Sequence, residues 1–359
     1  MPIKREMMVR RDALTQVAIN ETLAPEPDEG EILLQIESFA VTANTVTYGV
    51  VGAQIGYWNF FPAPEGWGIV PAWGYARVVA SCVAEIAVGE RVYGFLPMAT
   101  HLIVQPGKIS TGLFRDMAAH RQPMSAVYNQ YRRLQADPAH DAAREGLRML
   151  FEPLFLTSFL IEDTLRRAGY HGADTVVLTS ASSKTALGTA YVLRERSPQV
   201  RRIGLTSAAH VGFVEKTGLY DAVLPYDAIA DLGGVGAAIL IDFAGNAALL
   251  HAAYAALPGR VAQCLRVGVT HHDTGSETGV LANPKPVWFF APDAATALIG
   301  EIGQEGFNAA VAAQWGGFVA VAAGLVSVEH GNGIDALQRI WRTQVAGQAA
   351  PDTGFVIRL

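Results

Sequence analysis

Between Asp174 and Val269, short apolar runs alternate with stretches of helical character, and this alternation constrains the fold more than any other feature of the chain. Strands are predicted over Asp174 to Leu178, Arg202 to Leu205, Asp221 to Leu224, Ala237 to Asp242 and Arg260 to Val269. Helices are predicted over Ser183 to Arg196, Val211 to Lys216 and Ala247 to Leu257, the second closed by Gly218, a good helix-stop residue. Parallel strands need long crossover connections, and helices supply them. The predicted class is therefore α/β, with a parallel sheet covered by helices.

The first hundred residues follow another rhythm. Glu31 to Val41 alternates apolar and polar residues, as a half-buried strand does. Tyr75 to Val83, ERVYGFLP and HLIVQPG follow, separated by Gly and Pro clusters, which predicts a small barrel or sandwich. Residues Arg115 to Leu150 are rich in Ala, Arg, Gln and Met at helical spacing, and Leu150 to Ala168 continues as a strongly apolar helix. From Val287 the chain reads as helical again, and GFVIRL reads as a terminal strand. A chain of 359 residues suits two domains. The expected division is a β domain over residues 1–114, a helical insertion over 115–150, the parallel-sheet domain over 151–285 and a return to the β domain over 286–359.

Composition narrows the function classes. Half the residues are hydrophobic and 17% are charged, the reverse of a disordered chain. Net charge is −6 and no basic tract occurs, so no nucleic-acid partner is expected. Two cysteines, Cys82 and Cys264, make neither a disulfide framework nor a Cys-rich zinc site, and suit a reducing cytoplasm. The opening MPIKREMMVRRD lacks the apolar core of a signal peptide. Gly316 to Val328 is too short to span a bilayer, and Val235 to Leu257 is interrupted by Asp242 and Asn246, so no membrane partner is expected.

The first crossover, DTVVLTSASSKTALG, carries the best chemistry. A buried strand runs straight into a helix, whose N–H groups and dipole suit a phosphate. Ser180, Ser182, Ser183 and Thr185 add hydroxyls, and Lys184 adds a charge. The dinucleotide fingerprint wants Gly-x-Gly-x-x-Gly here, yet only Gly188 is nearby, and the glycines of a P-loop are missing too. The alternative is a helix start capped by its own serines. The second strand ends in Thr206, Ser207 and His210 with no acid. An acid would repel a 2′-phosphate, whereas hydroxyls and a cation accept it, which favours NADP over NAD. Lys184, His210 and Lys216 are the candidate cations, although Lys216 suits a solvated loop equally well. The run His271-His272-Asp273 invites a metal, but adjacent side chains diverge, so a loop without metal is expected.

The order of these segments resembles the medium-chain dehydrogenase/reductase superfamily. GLYDAVLPYD resembles that family's segment after the second helix, ILIDFAGNAAL its fourth strand with Asp242 and Gly245 in place, and PDTGFVIRL its final strand. SASSKTALG, YNQY and EPLFLTSFLIED together are similar to a bacterial branch catalogued as a domain of unknown function. The resemblance implies a chaperonin-10-like barrel beside a Rossmann-like domain, and a homodimer. PAWGYARVV stands where the zinc enzymes carry Gly-His-Glu, so the likeness is to zinc-independent quinone or enoyl reductases. It places catalytic residues in FAVTANTVTYG, with Asn44 and Tyr48 as candidates and Thr47 behind them. Asn44 as a turn cap and Tyr48 as a wall residue are the structural alternatives. Tyr57 and Trp58 are candidate pocket residues, Tyr128 and Tyr131 are packing residues or a lid on one helical face, and His101 belongs to an ordinary strand. The expected protein is a zinc-independent NADP(H)-dependent oxidoreductase for a small carbonyl or α,β-unsaturated substrate. The rival is a non-redox binding or regulatory protein that keeps the fold, which the absent glycines favour.

Overall fold

The computed structural model describes residues 2–267 and 283–359. His271, His272 and Asp273 lie outside the described residues. The chain divides into two compact units, Met1–Leu150 with Ser327–Leu359, and Phe151–Val326. The C-terminal return thus begins at Ser327, forty-one residues later than the sequence pattern places it.

The first unit is built on the strand Ile32–Val41. One edge carries Pro71–Ser81, followed outward by Arg91–Pro97, Gln130–Arg133, Leu113–Asp116 and Pro106–Gly107, all antiparallel. The other edge is shared: Thr353–Arg358 pairs with Ser38 to Val41, and His101–Val104 pairs with Ile32 to Gln35. Only Gln35 of the central strand is exposed, so both faces of this strand are covered where simple alternation predicts one. A hairpin of Ile3–Arg10 and Ala13–Leu23 packs Met7 and Val9 inward. Helix Gly333–Val345 buries Leu337 and Trp341, and Trp341 Nε1 donates to the Leu14 carbonyl at 2.7 Å.

Residues 115–150 do not form the expected helical insertion. They continue the strand Leu113–Asp116, pass through short 3-10 turns and return as the strand Gln130–Arg133; an α-helix begins only at Glu145. Pro123 and Pro138 remove helix donors, and burial of Arg121 and Tyr131 outweighs helix propensity. Tyr128 and Tyr131 therefore share no helical face.

The second unit holds six parallel strands in the order Ala222–Pro225, Arg201–Thr206, Thr175–Leu178, Ala238–Asp242, Val261–Arg266 and Val287–Trp288. Numbered along the chain this is 3-2-1-4-5-6, with the switch point beside the first strand. Val177, Leu205, Leu240, Leu250 and Cys264 share one core. Helix Lys184–Arg196 lies close to helix Glu145–Arg167 at Gly188, where a Cβ would stand 2.7 Å from Ser158 Oγ. That hydroxyl donates to the carbonyls of Leu154 and Thr185. The helix Ala291–Leu325 breaks at Gly303, where φ is +73°. By length and composition alone it is apolar enough to cross a membrane.

Candidate functional site

The first crossover turns tightly from strand to helix without a glycine. Ser180 adopts φ +47°, the left-handed region where a glycine carries no steric cost. Ala181 N donates to the Leu205 carbonyl and Tyr220 OH donates to the Ala181 carbonyl, pinning the turn to the second strand. Gly204 permits this approach, since a Cβ there would stand 2.8 Å from Ala181 Cβ. Ser183 caps the following helix by accepting from Ala186 N at 3.3 Å. The capping alternative therefore holds for Ser183, while the N–H groups of Lys184 and Thr185 are first-turn donors with no intrahelical acceptor. Ser182, Lys184 and Thr185 are half-buried, and Lys184 Nζ lies 6.0 Å from the Phe151 ring centroid.

Two crossovers meet at one point: Ser182 Oγ and His210 Nδ1 are 3.1 Å apart. Ser207 is half-buried beside them in sequence, whereas Thr206 is buried at the strand end. Lys216 is exposed at the far end of helix Val211–Lys216, about 9 Å along its axis from the carboxyl edge. Asp242 is buried, and its Oδ1 accepts from Thr179 Oγ1 at 3.0 Å and from the N–H groups of Ala244 and Gly245. Gly245 takes φ +66° to allow this. Burial holds the Asp242 carboxyl above its ordinary range, against the pull of those donors. Its visible work is to shape the loop after the fourth strand.

In the first unit the candidates gather in an aromatic cluster. Thr42 caps helix Ala43–Val50 in a reciprocal box with Thr45, so Asn44 is not the cap. Instead Asn44 stands one turn before Tyr48 on the same helix. Trp73 Nε1 donates to the Tyr48 hydroxyl at 3.2 Å. An indole N–H only donates, so the Tyr48 oxygen accepts and its own proton points elsewhere. Burial pushes the Tyr48 phenol far above its ordinary pKa, so it stays a neutral donor. Tyr57 and Tyr128 come together, with hydroxyls 2.9 Å apart, and the Tyr48 and Tyr57 ring centroids are 4.7 Å apart. Trp58 is not among them; it is buried against Gly52 and Gly68. His101 lies in a strand, as expected, and is buried.

Sequence reading missed Arg121. It is buried, and it donates to Asp116 Oδ2 at 2.9 Å, Asn129 Oδ1 at 3.0 Å, Tyr131 OH at 2.9 Å and the Tyr128 carbonyl at 2.8 Å. Its guanidinium also stacks on Phe60 and Phe61. An arginine in a polar stretch carries no local mark of burial. Among the described residues no three potential metal ligands converge.

A family model described as "Protein of unknown function (DUF2855)" matches residues 39–350. No curated protein matches the sequence. Among solved structures, CurA from Vibrio vulnificus, known also in complex with NADPH, is similar with TM-score 0.65 and 16% identity over 99% of this chain and 98% of that one. CurK enoyl reductase is similar with TM-score 0.60 and 12% identity, covering 99% of both chains. TarJ from S. aureus in complex with NADPH has TM-score 0.55 and 10% identity, again covering 99% of both. These likenesses show the fold: a Rossmann-like domain and a chaperonin-10-like barrel.

Proposed function

The chain belongs to the DUF2855 family of proteins of unknown function, and we propose that this protein is a zinc-independent NADP(H)-dependent oxidoreductase acting on a small carbonyl or α,β-unsaturated compound. The observation that carries the reading is the meeting of Ser182 and His210 at the carboxyl edge of a 3-2-1-4-5-6 sheet, with no carboxylate at the end of the second strand. That edge is where such sheets bind ligands, and hydroxyl plus imidazole suits a 2′-phosphate. The helix N–H groups of Lys184 and Thr185, the left-handed turn at Ser180 and the Lys184 charge fit a pyrophosphate. The NADPH complexes of CurA and TarJ support the same cofactor. When bound, NADPH supplies a hydride. The Tyr48 hydroxyl, held by the Trp73 indole N–H and kept neutral by burial, would serve as a donor to a substrate oxygen on which charge develops, with Asn44 one turn before it on the same helix.

The test is a fluorescence titration with NADPH and with NADH. NADPH is expected to bind more tightly, and equal or reversed affinities sink the reading. Tyr48→Phe is expected to lower turnover by roughly 10²-fold with NADPH affinity unchanged. The rival, a non-redox binding or regulatory protein, draws on Ser183 and Asp242, whose polar atoms serve the protein's own backbone. It predicts no saturable binding of either nucleotide.

A further inference from the structure

A cavity of about 180 Å³ lies wholly within the first unit. Buried Phe60, Phe61, Ile69 and Pro97 line it, with Leu102 and Ile103 half-buried beside them. Exposed Pro62 and His120 line it as well, so it opens to solvent. Tyr48, Tyr57, Trp73 and Tyr128 are not among its lining residues, so it is not the space at the Tyr48 hydroxyl. Four charges face it in two pairs: Lys4 Nζ lies 2.6 Å from Glu6 Oε1, and Arg121 Nη1 donates to Asp116 Oδ2 at 2.9 Å. The two cations offset the two carboxylates. Arg121 is only 1% exposed, and a guanidinium has five N–H groups to place. Nε spends one on Asn129, Nη1 spends two on Asp116 and Tyr131, and Nη2 spends one on the Tyr128 carbonyl. One Nη2 hydrogen is left without an acceptor among the described residues. A buried donor is costly to leave unmet, and such a group marks a place for a ligand or an ordered water. The guanidinium stacks on Phe60 and Phe61, 5.4 and 5.2 Å from their ring centroids, so the spare N–H belongs to the aromatic side of the cavity.

We propose that this cavity is a binding site for a small, uncharged, single-ring aromatic compound that bears one hydrogen-bond acceptor. The ring packs against Phe60, Phe61 and Ile69, and the acceptor takes the unspent Arg121 N–H. Volume sets the size: an apolar cavity of about 150 Å³ takes one benzene, so 180 Å³ holds a ring with a short substituent. The walls select the ring, because aromatic pairs gain more than their buried area alone supplies. The charges select neutrality. An anion drawn to Arg121 also meets Asp116, and one drawn to Lys4 also meets Glu6, so it loses water without gaining a free cation. A neutral acceptor uses the spare donor and leaves both pairs intact. The site draws on no residue of the second unit and on none assigned above to NADPH or to the Tyr48 hydroxyl, so it stands or falls apart from the reductase reading.

The probe is methyl phenyl sulfoxide, which is uncharged, carries one strong acceptor and has neither carbonyl nor alkene to reduce. Calorimetry on the full chain without nucleotide is expected to show one saturable site with Kd on the order of 0.1–1 mM. Benzoate, an anion of similar size, is expected to bind about tenfold more weakly or worse. Ile103→Trp fills the cavity from a half-buried position and is expected to weaken the sulfoxide about tenfold or more. Arg121→Met combined with Asp116→Asn deletes the donor and keeps the lining neutral. It is expected to weaken the sulfoxide about tenfold, while thioanisole, which lacks the oxygen and rests on the walls alone, binds as it does to the wild type. The proposal is overturned by no saturable binding of the sulfoxide, by benzoate binding as tightly, or by full affinity in Ile103→Trp. A folded double variant that keeps the sulfoxide, or loses both probes alike, overturns it too. If the double variant does not fold, benzoate and Ile103→Trp decide.

Discussion

Replacing Arg121 by Met tests the buried network that carries Tyr128. Met keeps the apolar stem against Phe60 and Phe61 and deletes every guanidinium bond. Four acceptors lose a donor: Asp116, Asn129, Tyr131 and the Tyr128 carbonyl. Breaking a buried ion pair from one side costs about 3–5 kcal/mol, because the remaining charge is left unpaired. Here Asp116 Oδ1 still accepts from Gln105 N and Ala118 N, which favours the lower part of that range, about 3–4 kcal/mol. With a urea slope of about 2–3 kcal/mol per molar, the midpoint should fall by roughly 1–2 M. Trp fluorescence is the readout, since Trp58, Trp67, Trp73 and Trp341 all lie in the same unit as Arg121. Adding Asp116→Asn removes the stranded charge but keeps an acceptor for the two backbone donors, and should restore part of the loss. A loss below about 1 kcal/mol in the single variant, or none regained in the double, would refute the view that the ion pair holds this segment.

Lys184→Ala should weaken NADPH binding about tenfold to a hundredfold without unfolding the protein, the worth of one charge-assisted bond at a helix N-terminus; unchanged affinity in a calorimetric titration assigns the phosphate to the serines and the backbone. Ser180→Gly relieves a left-handed residue and should stay within about 0.5 kcal/mol of the wild type by urea melt, because glycine's extra unfolded-state freedom offsets the relief. Ser180→Val at the same φ should lose about 2 kcal/mol, and an equal tolerance of Val would show that the turn is not strained. Burial pushes the Cys264 thiol up to about 12, so it stays protonated at pH 8, while Cys82 is exposed. Native protein at pH 8 should therefore release one equivalent from a disulfide reagent and unfolded protein two; two fast equivalents from the native state would contradict the burial.

The alternation from Asp174 onward determined the parallel sheet by itself, because periodicity along a chain records which side chains face a core. It placed Thr175–Leu178, Arg201–Thr206 and Ala238–Asp242 to within a residue or two, and it put Ser180, Ser182 and Lys184 at a carboxyl edge. Asn44 and Tyr48 came from the family resemblance alone, and it is the helix Ala43–Val50 that sets them one turn apart. The sequence carried no sign that Ser180 would take a left-handed turn in place of glycine, because the cost of that angle is borne by Leu205 and Tyr220 elsewhere in the chain. Nor did helical spacing in residues 115–150 survive: local preferences are worth fractions of a kcal/mol per residue, and the burial of Arg121 and Tyr131 outweighs them. The pairing of Tyr57 with Tyr128 spans 71 positions of sequence. Such a contact is chosen by how strands and turns pack around Arg121, and only the tertiary structure decides it.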